Sequence, residues 1–122
     1  MLPPERRLSS RAAFSEVVRR GRRAARPLLT VHLLPFAAPT ETGRQSTAGL
    51  VVSKAVGGSV TRHRTARRLR HLLPERLDAL PVGSRLVVRA APTAGRASSA
   101  ALRTDLDAAL AAVARPRPRA AR

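Results

Sequence analysis

Five arginines, Arg62, Arg64, Arg67, Arg68 and Arg70, fall within nine residues, directly after an apolar run that ends in Ser53-Lys54. A guanidinium stays charged and presents a planar fork of N–H donors, which suits paired contacts with phosphate oxygens. The segment reads as a strand, a turn at Gly57-Gly58, and a helix with Ser59 as N-cap that Pro74 stops. At 100° per residue His63, Arg64, Arg67, Arg68, Arg70 and His71 share an arc of roughly 160°. Ala66, Leu69, Leu72 and Leu73 lie opposite, where they can pack on a sheet. A charged run on a helix is most often a solvated face. Here no acid interrupts it before Glu75, so i,i+4 ion pairs do not account for it, and like charges at that spacing cost stability. The helix reads as a cationic face for nucleic acid.

No other set of residues points to catalysis. The seven acids, Glu5, Glu16, Glu41, Glu75, Asp78, Asp105 and Asp107, are scattered, and none pairs for general acid–base work or a two-metal clamp. His32, His63 and His71 lack metal-ligand spacing with any acid. Gly57-Gly58 lacks the rest of a phosphate-binding loop, and no serine sits in a nucleophile elbow. The expectation is therefore no catalytic residue, no metal site and no cofactor in the chain.

The elements that must position the arginines follow from the flanking patterns. Residues 1–9 read as irregular. Ser9 or Ser10 caps a helix to Arg20 in which Phe14, Val17 and Val18 stand at i, i+3 and i+4, and Gly21 closes it before Arg22 and Arg23. Residues 28–34 form a strand with His32 inside its apolar run, and residues 35–47 read as a surface loop. Residues 48–53 form the strand before the basic helix. A turn region spans 77–84, a strand 85–90, and a loop 91–97. Ser98 or Ser99 then caps a last helix carrying Leu102, Leu106, Leu110 and Val113. The order is α-β-β-β-α-β-α-like, an α+β fold with helices packed on one small sheet.

The 122 residues suffice for one domain, read as 1–114, with 115–122 as a disordered Arg/Pro tail. Net charge is +17 and pI about 12.0, which makes a polyanion the default partner. Only Lys54 among the 24 basic residues is a lysine, a bias that a GC-rich genome also produces. With no cysteine, disulfides and thiolate metal sites are excluded, and a cytoplasmic location is expected. No apolar run approaches the roughly 20 residues that span a bilayer, and the amino terminus does not read as a signal peptide.

Val52-Ser53-Lys54, Val56-Gly57, Arg62-His63-Arg64 and Arg67-Arg68-Leu69-Arg70 resemble the signature of the bacterial ribonuclease P protein subunit, approximately S-K-x-x-G-N-A-V-x-R-N-R-x-K-R-x-x-R. Leu2-Pro3 through Arg7-Leu8, Phe14 and Gly21 resemble the family's amino-terminal pattern, and the order of elements fits to about residue 114. Gly58 and His63 stand where the family usually has Asn, and Ala66 where it usually has Lys. The resemblance implies a protein that supports a large catalytic RNA, which uses Mg2+ to hydrolyse the 5′ leader from precursor tRNA. By carry-over, Lys54, Arg62, His63, Arg64, Arg67, Arg68 and Arg70 would contact that RNA. Phe14, Val18 and His32 would line a cleft for the leader of precursor tRNA. The resemblance also implies a left-handed crossover where general rules favour the right-handed one. No protein partner and no membrane are expected. A structural RNA binder of the ribosomal type and a DNA-binding module with its helix in a major groove are the alternatives, and the scarcity of Asn and Gln near the helix speaks against the second.

Overall fold

Alternation along the strands divides the molecule into two layers about one sheet. The computed structural model describes residues 2–8, 10–35 and 45–114. Its elements are α1 (Arg11–Arg20), β1 (Arg22–Ala25), β2 (Leu29–Leu34), β3 (Thr47–Val51), α2 (Ser59–Asp78), β4 (Arg85–Ala90) and α3 (Ser99–Ala114). Short 3-10 turns occupy Pro4–Arg6, Lys54–Val56 and Pro92–Arg96. The sheet order is β1-β2-β4-β3, antiparallel except for the parallel pair β3–β4. Leu29, Val31, Leu33, Leu86 and Val88 on one face join Leu69, Leu73 and Leu77 of α2 and Leu102, Leu106 and Leu110 of α3 in the main core. The other face presents the row Arg23, His32, Val87, Gly49 to α1, whose Val17 is fully buried.

Two caps form from the expected serines. Ser10 Oγ accepts from the Ala13 N–H at 3.0 Å, and Ser98 Oγ from the Ala101 N–H at 3.0 Å. Each satisfies one first-turn donor that the helix itself leaves unpaired. Ser59 does not act this way. It is the first residue of α2, Gly58 is the N-cap, and no side chain caps that end.

Pro74 does not stop α2, which runs on to Asp78. An interior proline costs a helix about 3 kcal/mol. Continuing past Pro74 places Leu77 in the core, worth about 1.5–3 kcal/mol, and brings Arg76 onto Asp107 through two bonds, which together offset that cost.

Three further elements depart from the sequence reading. β1, composed of Arg22, Arg23, Ala24 and Ala25, has no β-branched residue and exists by pairing with β2, the Arg26 N–H closing the hairpin on Leu29 O at 2.7 Å. Residues before α1 are not irregular: Leu2 is buried in the core, Arg7 bridges Ala48, and the Leu8 N–H donates to Ala48 O at 2.8 Å. β3 ends at Val51 rather than at residue 53, because a 3-10 turn begins at Lys54. Residues 36–44 of the expected surface loop, Ser9 and the Arg/Pro tail lie outside the described residues.

Candidate nucleic-acid interface

The connection from β3 into α2 is built on a glycine that no other residue replaces. Gly57 has φ of +153°, and a Cβ there would come within 2.9 Å of Thr61 Cβ. This turn sets α2 off from the sheet with Lys54 exposed beside it. The uncapped first turn of α2 contains no acid, so its N–H groups and the positive end of the helix dipole remain available to an anion.

The arginines of α2 separate into two groups. His63, Arg67, Arg70 and His71 are exposed, and no hydrogen bond or ion pair engages them among the described residues. Arg64 and Arg68 are half-buried and turn toward the Pro92–Arg96 turn. Arg64 Nη2 donates to Gly95 O at 3.2 Å, and Arg68 Nη1 to Ala97 O at 2.8 Å. Arg62 is half-buried and its Nε has no partner. Arg62, His63 and Arg70 line a groove of about 300 Å³ floored by Leu50, Val52 and Ala66. His63 also borders a second groove, of about 400 Å³, with Val60, Arg64 and Arg67.

Most of the described acids already hold arginines. Glu16 takes Arg85 at 2.6 Å and Arg20 at 3.2 Å, while Asp78 takes Arg6 at 2.7 Å. Asp107 binds Arg76 through two bonds of 2.7 and 3.2 Å, and this hydrogen-bonded pairing raises the Arg76 pKa further. Buried Asp105 accepts from the Leu28 N–H at 2.9 Å and faces Arg26 at 3.6 Å. These four acids are neutralised in place, Glu75 near the end of α2 faces Arg76 at 3.6 Å, and no acid pairs with Arg67 or Arg70 among the described residues. Among the described residues no three of His, Cys, Asp and Glu group as metal ligands. No helix among them is long and apolar enough to cross a membrane.

A second surface lies under α1. Phe14, Ser15, Val18 and Arg19 of α1 face Val51, Val87 and Arg89 of the sheet across a groove of about 390 Å³. Phe14 is half-buried with its ring over Gly49, so it serves both as packing and as groove wall. Phe14 and Val18 thus line one groove. His32 does not join them: it is 6 % exposed, on a central strand beneath α1. The reason is its register, opposite Val87 and Arg23 in the row that α1 covers. Its Nδ1 has no partner, and burial, then Arg23 and Arg89, lower its pKa. A neutral imidazole results near pH 7.

Sequence reasoning passed over Arg19 and Arg89 as members of this groove. Arg89 carried a signal, since it is a charge set between the apolar run Leu86–Val88 and Ala90. Arg19 carried none beyond its place in a charged helix exit.

The ribonuclease P family matches residues 2–114. A ribonuclease P protein component of Streptomyces bikiniensis is 59 % identical over 114 residues, covering 90 % of this chain and 93 % of the relative. One from Salinispora tropica is 48 % identical, with both chains covered in full. The Staphylococcus aureus RNase P protein superposes with a TM-score of 0.74 at 20 % identity, covering 90 % of this chain and 98 % of that one. The Thermotoga maritima protein does so at 0.69 and 20 % identity, over 91 % and 97 %. These two likenesses establish a common α+β fold, and the left-handed crossover expected for β3–α2–β4 is consistent with them. By extent of match and by identity to its relatives, this chain belongs to the ribonuclease P protein family.

Proposed function

We propose that this chain is the protein component of ribonuclease P, binding the catalytic RNA through the exposed face of α2 and the 5′ leader of precursor tRNA in the groove under α1. The observation that carries the reading is the segregation of charge. Lys54, Arg67 and Arg70 are exposed with no acid paired to them among the described residues, whereas Glu16, Asp78, Asp105 and Asp107 are each held by an arginine. Such a surface gains affinity by releasing the counterions of an RNA backbone. Arg62 extends it into the groove over Leu50 and Val52.

The chain positions RNA, and the RNA hydrolyses the leader. Water activation requires a free carboxylate or a poised base beside the scissile phosphate. Among the described residues Glu16, Asp78, Asp105 and Asp107 are held by arginines or a backbone N–H, and His32 is buried away from solvent. In this reading the RNA holds the magnesium; among the described residues no three of His, Cys, Asp and Glu group as ligands for it. In the α1 groove, Phe14 supplies the one aromatic face, and a base stacked on it contributes about 1–3 kcal/mol. Arg19 and Arg89 supply charge for the leader backbone, which offsets the absence of an aromatic at Val18.

Reconstitution tests the proposal. The protein with its cognate catalytic RNA at low Mg2+ should cleave precursor tRNA at the 5′ leader faster than the RNA alone, and the RNA-free protein should not cleave. Unchanged cleavage on adding protein, together with retention of ribosomal RNA, would favour a structural binder of the ribosomal type.

A further inference from the structure

We propose that the Pro92–Arg96 turn is a second RNA-contacting element fastened to α2 by Arg64 and Arg68, with Arg96 as its contact to the phosphate backbone of the catalytic RNA. This rests on the reading above and extends its surface beyond the basic helix. The carbonyls that Arg64 and Arg68 hold, those of Gly95 and Ala97, flank Arg96 in the chain. The main chain at Arg96 therefore lies against the edge of α2. Arg64 and Arg68 are one helical turn apart, so both reach the same turn from one face.

The turn is seated from two other sides. A Cβ on Gly95 would come within 2.5 Å of Val56 O and 2.9 Å of Thr61 Cγ2, so the turn is wedged between Lys54–Val56 and the first turn of α2. Thr93 Oγ1 donates to Pro27 O at 2.6 Å and ties its other end to the β1–β2 connection. The carbonyl oxygens would repel a phosphate. Two guanidinium groups cover them, and the charge left exposed on the turn is Arg96, which has no ion-pair partner among the described residues. Arg64 and Arg68 are thereby positioning residues, and Arg96 continues the cationic surface that Arg67 begins.

The test is affinity of the full chain for its catalytic RNA as a function of salt. Arg96→Ala should reduce the slope of log K against log salt by about 0.7–0.9 and weaken binding about fivefold near 0.15 M salt. Arg20→Ala, which removes a charge paired with Glu16 on α1, should leave the slope unchanged. In an Arg68→Ala background, Arg96→Ala should cost less than twofold, because the turn is no longer held. Should Arg68→Ala fail to fold by circular dichroism, Arg68→Lys replaces it, since an ammonium is a single-point substitute for the fork. Wild-type affinity and slope in Arg96→Ala would overturn the contact, and equal losses in both backgrounds would overturn the positioning role. A wild-type chain with no salt-dependent affinity for that RNA would overturn the functional reading and this inference with it.

Discussion

The Phe14 ring rests directly on Gly49: a Cβ built at Gly49 collides with Cζ of the ring and comes within 2.6 Å of Cε1. The missing side chain in β3 is what lets α1 approach the sheet with an aromatic between them. Gly49→Ala should therefore destabilise the fold by about 1–3 kcal/mol through overpacking and push Phe14 out of its place. Combined with Phe14→Ala, the loss should be less than additive, since the collision partner is gone. Urea unfolding of the two single variants and the double variant measures this; strict additivity would mean that the two residues do not meet.

His32 should make stability depend on pH on the acid side of neutrality. Its folded pKa is lowered from the usual 6.5 by burial and by Arg23 and Arg89. Above the unfolded value both states are neutral and the contribution is fully present. As pH falls below it, the unfolded chain takes up a proton more readily than the folded one, and stability declines until the folded pKa is passed. In the acid window below about pH 6.5 the wild-type chain should lose stability more steeply than His32→Gln. Parallel curves in a denaturation series over that window would show that another group is responsible.

Removing the free cations of α2 should change RNA binding without changing the fold. Arg67 and Arg70 are exposed and make no hydrogen bond or ion pair among the described residues, so replacing both by Ala should change stability by no more than the ordinary surface range of about 0.5 kcal/mol. Each lost phosphate contact should flatten the salt dependence by about 0.7–0.9 in slope. A double variant with the wild-type slope would make this face merely solvated.

His63→Asn should be tolerated and Arg62→Ala should not. His63 is exposed at the border between two grooves, where a carboxamide can also offer an N–H donor without fixed charge. Arg62 lines a groove with an unpartnered Nε, and losing a charge-assisted bond there should cost on the order of 1.5–3 kcal/mol of affinity. Filter binding to the catalytic RNA at fixed salt and Mg2+ compares them. Equal losses would give the histidine a role of its own.

Local patterns carried most of the architecture. Ser10 and Ser98 were readable as caps, β4 from its apolar run, and α3 from its leucine spacing, because capping and periodicity act within a few residues. The density of arginine between residues 62 and 70 was enough to point to a cationic face for nucleic acid. What tertiary structure alone decided was the use of each residue. β1 forms because β2 offers an unpaired edge to Arg22–Ala25, and α2 passes Pro74 because Leu77 finds a core beyond it. His32 is buried by sheet register rather than by its own polarity. Arg67 and Arg68 are chemically the same and adjacent in sequence. One is free for phosphate and the other holds Ala97 O, because a 100° step on a helix separates open solvent from a packed turn.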